Sequence, residues 1–450
     1  MSPLYIAFLL AASIVAIIVL SSKLKFNTFF VLLLVAAAVG FAAGMEGETL
    51  VKALKKGFGT TLEKIGLLII LGTTLGVLLE KTGATLSLAQ YILSKTGEKR
   101  TPLAVVVMGF VIGLPIFCDS GFVVLIGLVM SLSARMPRWH IFLVGCLASA
   151  LLSVHCLVPP HPGITAAAGI LKVDIGQAIL LGCIIAVPPA IVGYFYSKKL
   201  NNRLGLSFTS DFLVEKRESD ILPSPFLSVL PIIVPILLIA IKSIFSINPT
   251  FIAPSVYGVI AFIGEPMIAL FMGILMTLPL LNNISRPQLN DLLDSAIDKS
   301  GSILAVTAAG GAFGEVIQAL ELGKVFGEQF AASGLGLFIP FALAAIFKTA
   351  QGSSTVAVIS TASIVAPLLP SLGMGTEGYN LDTSGGQLFA LLAAGAGSMV
   401  FSHTNDSYFW VISKFSKLDT AITLKLQSTM SALMGITAFL TVLVLSYLWH

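Results

Sequence analysis

This sequence predicts an all-α polytopic membrane protein of two structural repeats, whose broken or re-entrant helices meet near the bilayer midplane. Three observations predict it. Of 450 residues, 56% are hydrophobic and only 11% charged, with mean hydropathy +0.98; a soluble domain carries about 25% charged residues. Short patterns recur between the halves at near-constant spacing. Four apolar stretches, two in each half, are interrupted by small, polar or helix-breaking residues before the apolar run resumes.

The composition also excludes. Net charge is +4, with no basic run resembling a nucleic-acid patch, so the excess is assigned to cytoplasmic loops. Cys118, Cys146, Cys156 and Cys183 lie inside apolar segments without a C-x-x-C pair, which reads as small buried hydrophobes. No cofactor or metal is expected. There is no H-E-x-x-H, no G-x-S-x-G and no Walker loop, so neither an enzyme nor an ATP-driven pump is indicated. Transport driven by an ion gradient, or passive passage, remains.

In chain order, Pro3 to Leu20 is apolar, has no basic residue ahead of it and is followed by Lys23 and Lys25. That is an uncleaved spanning helix with its basic end inside, not a signal peptide. Further spans are expected over 26–44, 139–158, 177–197, 226–245, 265–281 and 427–448. The segments 66–79, 101–133, 254–263, 301–320, 333–370 and 385–401 are interrupted or of awkward length. Together they suggest roughly 12 crossings. The pieces 48–64, 86–100, 282–300 and 321–331 are amphipathic and charged. The polar stretch 198–220 reads as a linker between halves. The expected organisation is N-terminal helices over 1–64, a first transport repeat over 65–200 and a central linker over 201–225. Connecting helices follow over 226–300, then a second repeat over 301–426 and a final helix over 427–450.

The repeat is read from identities. Gly66, Gly76 and Glu80 recur 235 residues later as Gly301, Gly311 and Glu315. Gly121 recurs 231 residues later as Gly352, and Ser153, Lys172 and Asp174 recur 245 residues later as Ser398, Lys417 and Asp419. The polar insertion GMGTEGYNLDTSGG sits where the spacing lengthens. Inversion of one copy, which the fold class includes, requires an odd number of crossings in each. Two-fold repeats in a membrane chain point to a secondary transporter with its site where interrupted helices meet.

The four breaks are Phe117-Cys118-Asp119-Ser120-Gly121, then VHCLVPPHPG over 154–163, then Lys348-Thr349-Ala350-Gln351-Gly352-Ser353-Ser354-Thr355, then Ser402-His403-Thr404-Asn405-Asp406-Ser407. Freed backbone cannot stay unpaired in lipid, so it lines a protected or wet cavity. A half-helix starting there aims its N–H groups and positive dipole end at that cavity. Such a site suits a small anion rich in hydroxyls. Ser120, Gly121, Gln351, Gly352, Ser353, Ser354 and Asn405 are the candidate binding residues, with Lys348 the candidate partner of a substrate carboxylate. Ionisable groups within the membrane are costly and mark function, so Asp119, His155, His161, His403, Asp406, Glu80 and Glu315 are candidates for a proton relay. A simple inter-helix turn is the competing reading of each break.

The pieces LPIFCDSGFVVL, VHCLVPPHPGITAAAGILKVDIG, AQGSSTVAV and SHTNDSYFW, in that order, resemble the gluconate permease family, a branch of the ion transporter superfamily. The likeness covers nearly the whole chain. It implies a multi-pass bacterial inner-membrane symporter taking up gluconate or a related sugar acid with protons. The chain departs from the family pattern at Cys118 within the first break, at Lys348, where arginine is usual, and at Tyr408, where a smaller residue is usual. Lysine keeps the charge and loses the two-pronged fork that fits a carboxylate. A D-serine or other hydroxy-acid permease, and a passive anion channel, therefore stay open as alternatives. Sodium stays open as the coupling ion, and so does a homo-oligomer.

Overall fold

The same backbone device appears twice, 245 residues apart. Lys172 and Lys417 adopt positive φ, 59° and 57°, a conformation that non-glycine residues rarely take. Two residues later Asp174 and Asp419 each cap a long helix, accepting hydrogen bonds from Gln177 N at 2.8 Å and Ile422 N at 2.6 Å. A turn this costly, repeated with its cap, is the local mark of a duplicated unit.

The computed structural model describes residues 3–20, 24–95, 100–206, 222–247, 253–282, 284–319, 336–371, 384–403 and 406–448. Its helices are α1 (Pro3–Ile18), α2 (Thr28–Ala42), α3 (Gly47–Lys81), α4 (Ala84–Ser94), α5 (Thr101–Gly113), α6 (Cys118–Arg135), α7 (His140–Leu157), α8 (Pro162–Ile170) and α9 (Ile175–Leu204). There follow α10 (Pro225–Ile247), α11 (Pro254–Ile263), α12 (Pro266–Leu275), α13 (Arg286–Gln318), α14 (Phe338–Gln351), α15 (Ser354–Val365), α16 (Ser384–Gly397), α17 (Ser407–Phe415) and α18 (Thr420–Leu448). No strand occurs among the described residues.

The second copy repeats the order of the first. The run α3, α5, α6, α7, α8, α9 is answered by α13, α14, α15, α16, α17, α18, long helix for long helix and break for break. The copies pack reciprocally. Helix α3 lies on α13, while α2 rests on α13 and α12 on α3. Half-helix α6 meets α17, and α15 meets α8. Helices α7 and α16, apolar all round, are almost wholly buried, each at the centre of its copy.

Among the described residues, six helices are long and apolar enough to cross a membrane, or up to eight if two bent pairs each count as one span. That is fewer than the roughly 12 crossings that apolar length suggests. The difference lies in the half-length helices. A helix such as α5, 13 residues long, reaches only about 20 Å, short of a hydrocarbon core of about 30 Å. Such helices end at breaks inside the protein. Helix α3 bends by 43° between Gly47–Glu63 and Gly66–Lys81. The expected linker start at 201 lies inside α9, which runs to Leu204. The insertion over 373–386 falls mostly outside the described residues.

Close approach of α3 and α13 depends on glycine. A Cβ on Gly57 would overlap the Gly311 backbone, and one on Gly311 would stand 2.7 Å from the Gly57 carbonyl and overlap Thr61 Oγ1. Small residues at helix crossings let backbones touch where lipid gives no hydrophobic drive. Gly311→Val should therefore force the two copies apart and cost about 1–3 kcal/mol. It should be read as a lowered unfolding midpoint in detergent, with Gly59→Val, whose Cβ meets nothing within 4 Å, as the control. Equal midpoints for both variants would count against the crossing.

Candidate substrate site

The four breaks come together because the long helices are notched to receive them. On α3, a Cβ at Gly76 would stand 2.7 Å from the Pro115 carbonyl, and one at Gly72 would stand 3.3 Å from Pro160. The glycine face of one helix thus seats both breaks of the first copy. At Gly163, the start of α8, a Cβ would lie 2.8 Å from Thr355 Cα, so the second break of one copy touches the first break of the other.

Between the breaks lies a cavity whose empty space, open mouth included, is about 480 Å³. The first turn of α6 and its approach supply Phe117, Cys118 and Asp119; α15 supplies Ser353, Ser354 and Thr355; α17 supplies Asp406, Ser407 and Tyr408. Leu152 and His155 of α7 close the remaining side. Three helix N-termini therefore border one space, each with unpaired N–H groups and a positive dipole end.

The caps are local consequences of sequence. Ser353 follows Gly352, whose φ of 84° ends α14, and its Oγ accepts from Val356 N at 3.2 Å to begin α15. Asp406 begins α17 by accepting from Tyr408 N at 3.1 Å. The same carboxylate accepts from Lys348 Nζ at 2.6 Å and from Ser402 Oγ at 2.5 Å. Lys348 is 1% exposed and also donates to the Gly352 carbonyl at 2.6 Å, so its charge lies at the C-terminal end of α14, where a cation is favoured. Behind this pair, Gln427 Nε2 donates to Ser402 Oγ at 3.3 Å from a π-helical turn over Leu424–Ser428.

Asp119 has different partners. It accepts from Ser407 Oγ at 3.1 Å, across the boundary between the copies, and lies 3.8 Å from the Cys118 thiol. No cation pairs with it among the described residues. His155 Nδ1 stands 3.3 Å from His161 Nδ1, and His161 Nε2 stands 2.8 Å from the Gly113 carbonyl. Tyr408 OH donates to Ala148 O at 3.0 Å, and its ring meets Phe122 edge-on.

The residues singled out from sequence thus separate. Asp119, His155, Ser353, Ser354 and Asp406 line the cavity, and His161 supports it from behind through His155. Lys348 does not line it; burial obliges the ammonium to take a counter-ion, and Asp406 supplies one, leaving neither group free for a ligand. Ser120 and Gly121 lie one turn into α6, and Gly121 faces Leu151 at 3.0 Å from a would-be Cβ. Gly352 is spent on the turn, and the Gln351 side chain and Asn405 fall outside the described residues. His403 Nε2 stands 3.0 Å from the Thr349 carbonyl, bridging the two breaks of the second copy outside the cavity lining. Glu80 and Glu315 are not brought to the cavity. They occupy the last turns of α3 and α13, and Glu315 is engaged by Lys56 at 2.5 Å.

Sequence reasoning missed Thr355, Ser407, Cys118 and Leu152 as lining residues, and Ser402 and Gln427 as supports. Ser402 and Ser407 were legible, since both flank a capping Asp406 inside a break. Gln427 gave no signal, because the turn that buries it is set by packing in an apolar helix.

A broken-helix cavity between two reciprocal copies is a transporter's architecture, and the match of the chain to a family model decides which. The model for the GntP family permease matches residues 4–448. This chain belongs to the GntP permease family. Among similar GntP relatives are the Gnt-II system L-idonate transporter of Escherichia coli, 32% identical over 98% of this chain and 99% of that one. Another is the high-affinity gluconate transporter of Escherichia coli, 31% identical over 97% and 98%. In shape this chain is similar to the YdaH transporter of Alcanivorax borkumensis, described as having an unusual topology, with a TM-score of 0.59 at 16% identity over 89% of this chain and 87% of that one. As a member of that family, this chain is a transporter and not an enzyme. Its long apolar helices make it a multi-pass membrane protein, and a relative from Escherichia coli, 31% identical over 98% of this chain and 98% of that one, is named an inner membrane permease.

Proposed function

We propose that this permease takes up a sugar acid, gluconate first, as the anion and in symport with a proton. The observation that supports this most is the meeting of three helix N-termini around a cavity in which Asp119 is the one carboxylate without a cationic partner among the described residues. Backbone N–H groups suit a carboxylate, and Ser353, Ser354, Thr355 and Ser407 suit its hydroxyls. An ionised Asp119 repels the anion, so a proton on Asp119 favours anion binding and the anion favours the proton. Asp406 is silent in this cycle because Lys348 neutralises it. Residues 65–200 and 301–426 carry the two transport repeats, with the segment that follows α9 and the helices of 226–300 between them. Relatives that carry gluconate and L-idonate support the substrate class.

The test uses purified protein in liposomes, labelled gluconate outside, and an inward pH gradient without sodium. Accumulation above equilibrium that collapses with a protonophore is the expected result. Uptake that needs sodium would replace the proton. Uptake that only equilibrates would make the protein a channel. Uptake of D-serine or a short hydroxy acid in place of gluconate would overturn the substrate.

A further inference from the structure

We infer that His155 is a specificity residue that accepts a hydrogen bond from one hydroxyl of the bound sugar acid, in a tautomer imposed by His161. The inference rests on the reading of the cavity as a sugar-acid site and adds what that site discriminates.

Gly113 O can only accept, so His161 Nε2, 2.8 Å away, carries a hydrogen and donates it. No carboxylate or cation hydrogen-bonds either ring among the described residues, and a buried ring without a counter-charge stays neutral. A neutral imidazole bears one hydrogen, so His161 Nδ1 is an acceptor. The 3.3 Å contact with His155 Nδ1 is then satisfied only if His155 donates. One hydrogen is thereby spent on Nδ1, and His155 Nε2 is left with a lone pair. His155 lines the cavity, and its Nε2 has no partner among the described residues.

The consequence is chemical selectivity. Serine and threonine hydroxyls around the cavity can donate or accept, and helix N-termini only donate. His155 Nε2 only accepts, so it favours a ligand with an O–H or N–H at that point and leaves a lone pair unsatisfied beneath a ligand without one. A site built to bond a hydroxyl rejects the analogue lacking it far more strongly than a site that merely fits a shape.

The experiment displaces labelled gluconate from the purified permease with gluconate analogues that each lack one hydroxyl. One analogue should bind about tenfold or more weakly. In His155→Phe that penalty should shrink to about twofold or less, while the other ratios hold. Penalties unchanged in His155→Phe would overturn the assignment. Because that variant leaves His161 without its donor and can fail to fold, the unaltered protein is also labelled with 15N-histidine. Its NMR spectrum should show His155 with hydrogen on Nδ1 and an unprotonated Nε2 that shifts when gluconate is added; hydrogen on Nε2 would overturn the inference by itself. If the unaltered protein binds no gluconate, the sugar-acid reading falls and this inference falls with it. Binding without discrimination removes this inference alone.

Discussion

Lys348→Met should cost about 3–5 kcal/mol of stability, the penalty for leaving one partner of a buried pair alone. Asp406 would keep Ser402 Oγ at 2.5 Å and Tyr408 N at 3.1 Å but lose the only cation beside it among the described residues. The Gly352 carbonyl would lose its donor as well. Because the pair joins the break after α14 to the break before α17, the damage should spread to both. The measurement is the unfolding midpoint in detergent, with the fraction of protein eluting as a single species as a second readout. The double variant Lys348→Met with Asp406→Asn should regain more than half of the loss. Asparagine still caps α17 and carries no charge to strand. A single variant as stable as the parent would mean that the pair is not what holds these breaks. A double variant no better than the single would mean that shape, and not charge, is what Lys348 contributes.

Asp119→Asn should abolish accumulation of gluconate driven by a pH gradient while exchange of labelled for unlabelled gluconate persists within a few-fold. The asparagine keeps the size of Asp119 and still accepts from Ser407 Oγ, now 3.1 Å from the carboxylate, so the cavity keeps its shape. What it loses is the ability to change charge. Bound anion then carries no proton with it, and the accumulation ratio falls from well above one to about one, because an uncoupled carrier only equilibrates its ligand. Accumulation that persists unchanged would sink the assignment of Asp119 and move the coupling site to the His155–His161 pair. Loss of exchange together with accumulation would show that Asp119 acts in binding and not in coupling.

Much of the fold was legible because the bilayer imposes strong rules on sequence. Apolar length marks helices that cross, and breaks mark places where freed backbone must be buried. The identities linking Lys172 and Asp174 to Lys417 and Asp419 read as a repeat, and the same residues form matching left-handed turns and helix caps. The insertion over 373–386 lengthened the spacing at the right place without disturbing the order of helices on either side. The count of crossings was not legible in the same way. Apolar composition is equally satisfied by lipid and by protein interior, so a half-length helix such as α5 or α15 looks like part of a span.

At the site, residue type and break position singled out Asp119, Ser353, Ser354, Asp406 and the histidines. They did not say who pairs with whom. Lys348 and Asp406 are 58 residues apart in the chain, and nothing local couples them. In sequence Lys348 reads as a free cation waiting for a substrate carboxylate; once packed, it already has one. Glu80 and Glu315 match as repeat positions yet end on the last turns of α3 and α13, because a matched position in the repeat does not by itself bring a side chain to the cavity. What the sequence by itself determined is the class of molecule: helices, breaks, caps and duplication, all set by interactions within a few residues or by the cost of polar groups in lipid. Only the tertiary structure decided which charges neutralise each other, which hydroxyls face the cavity and which histidine rings meet. Those are contacts between distant segments, and their strength depends on burial that no local pattern encodes.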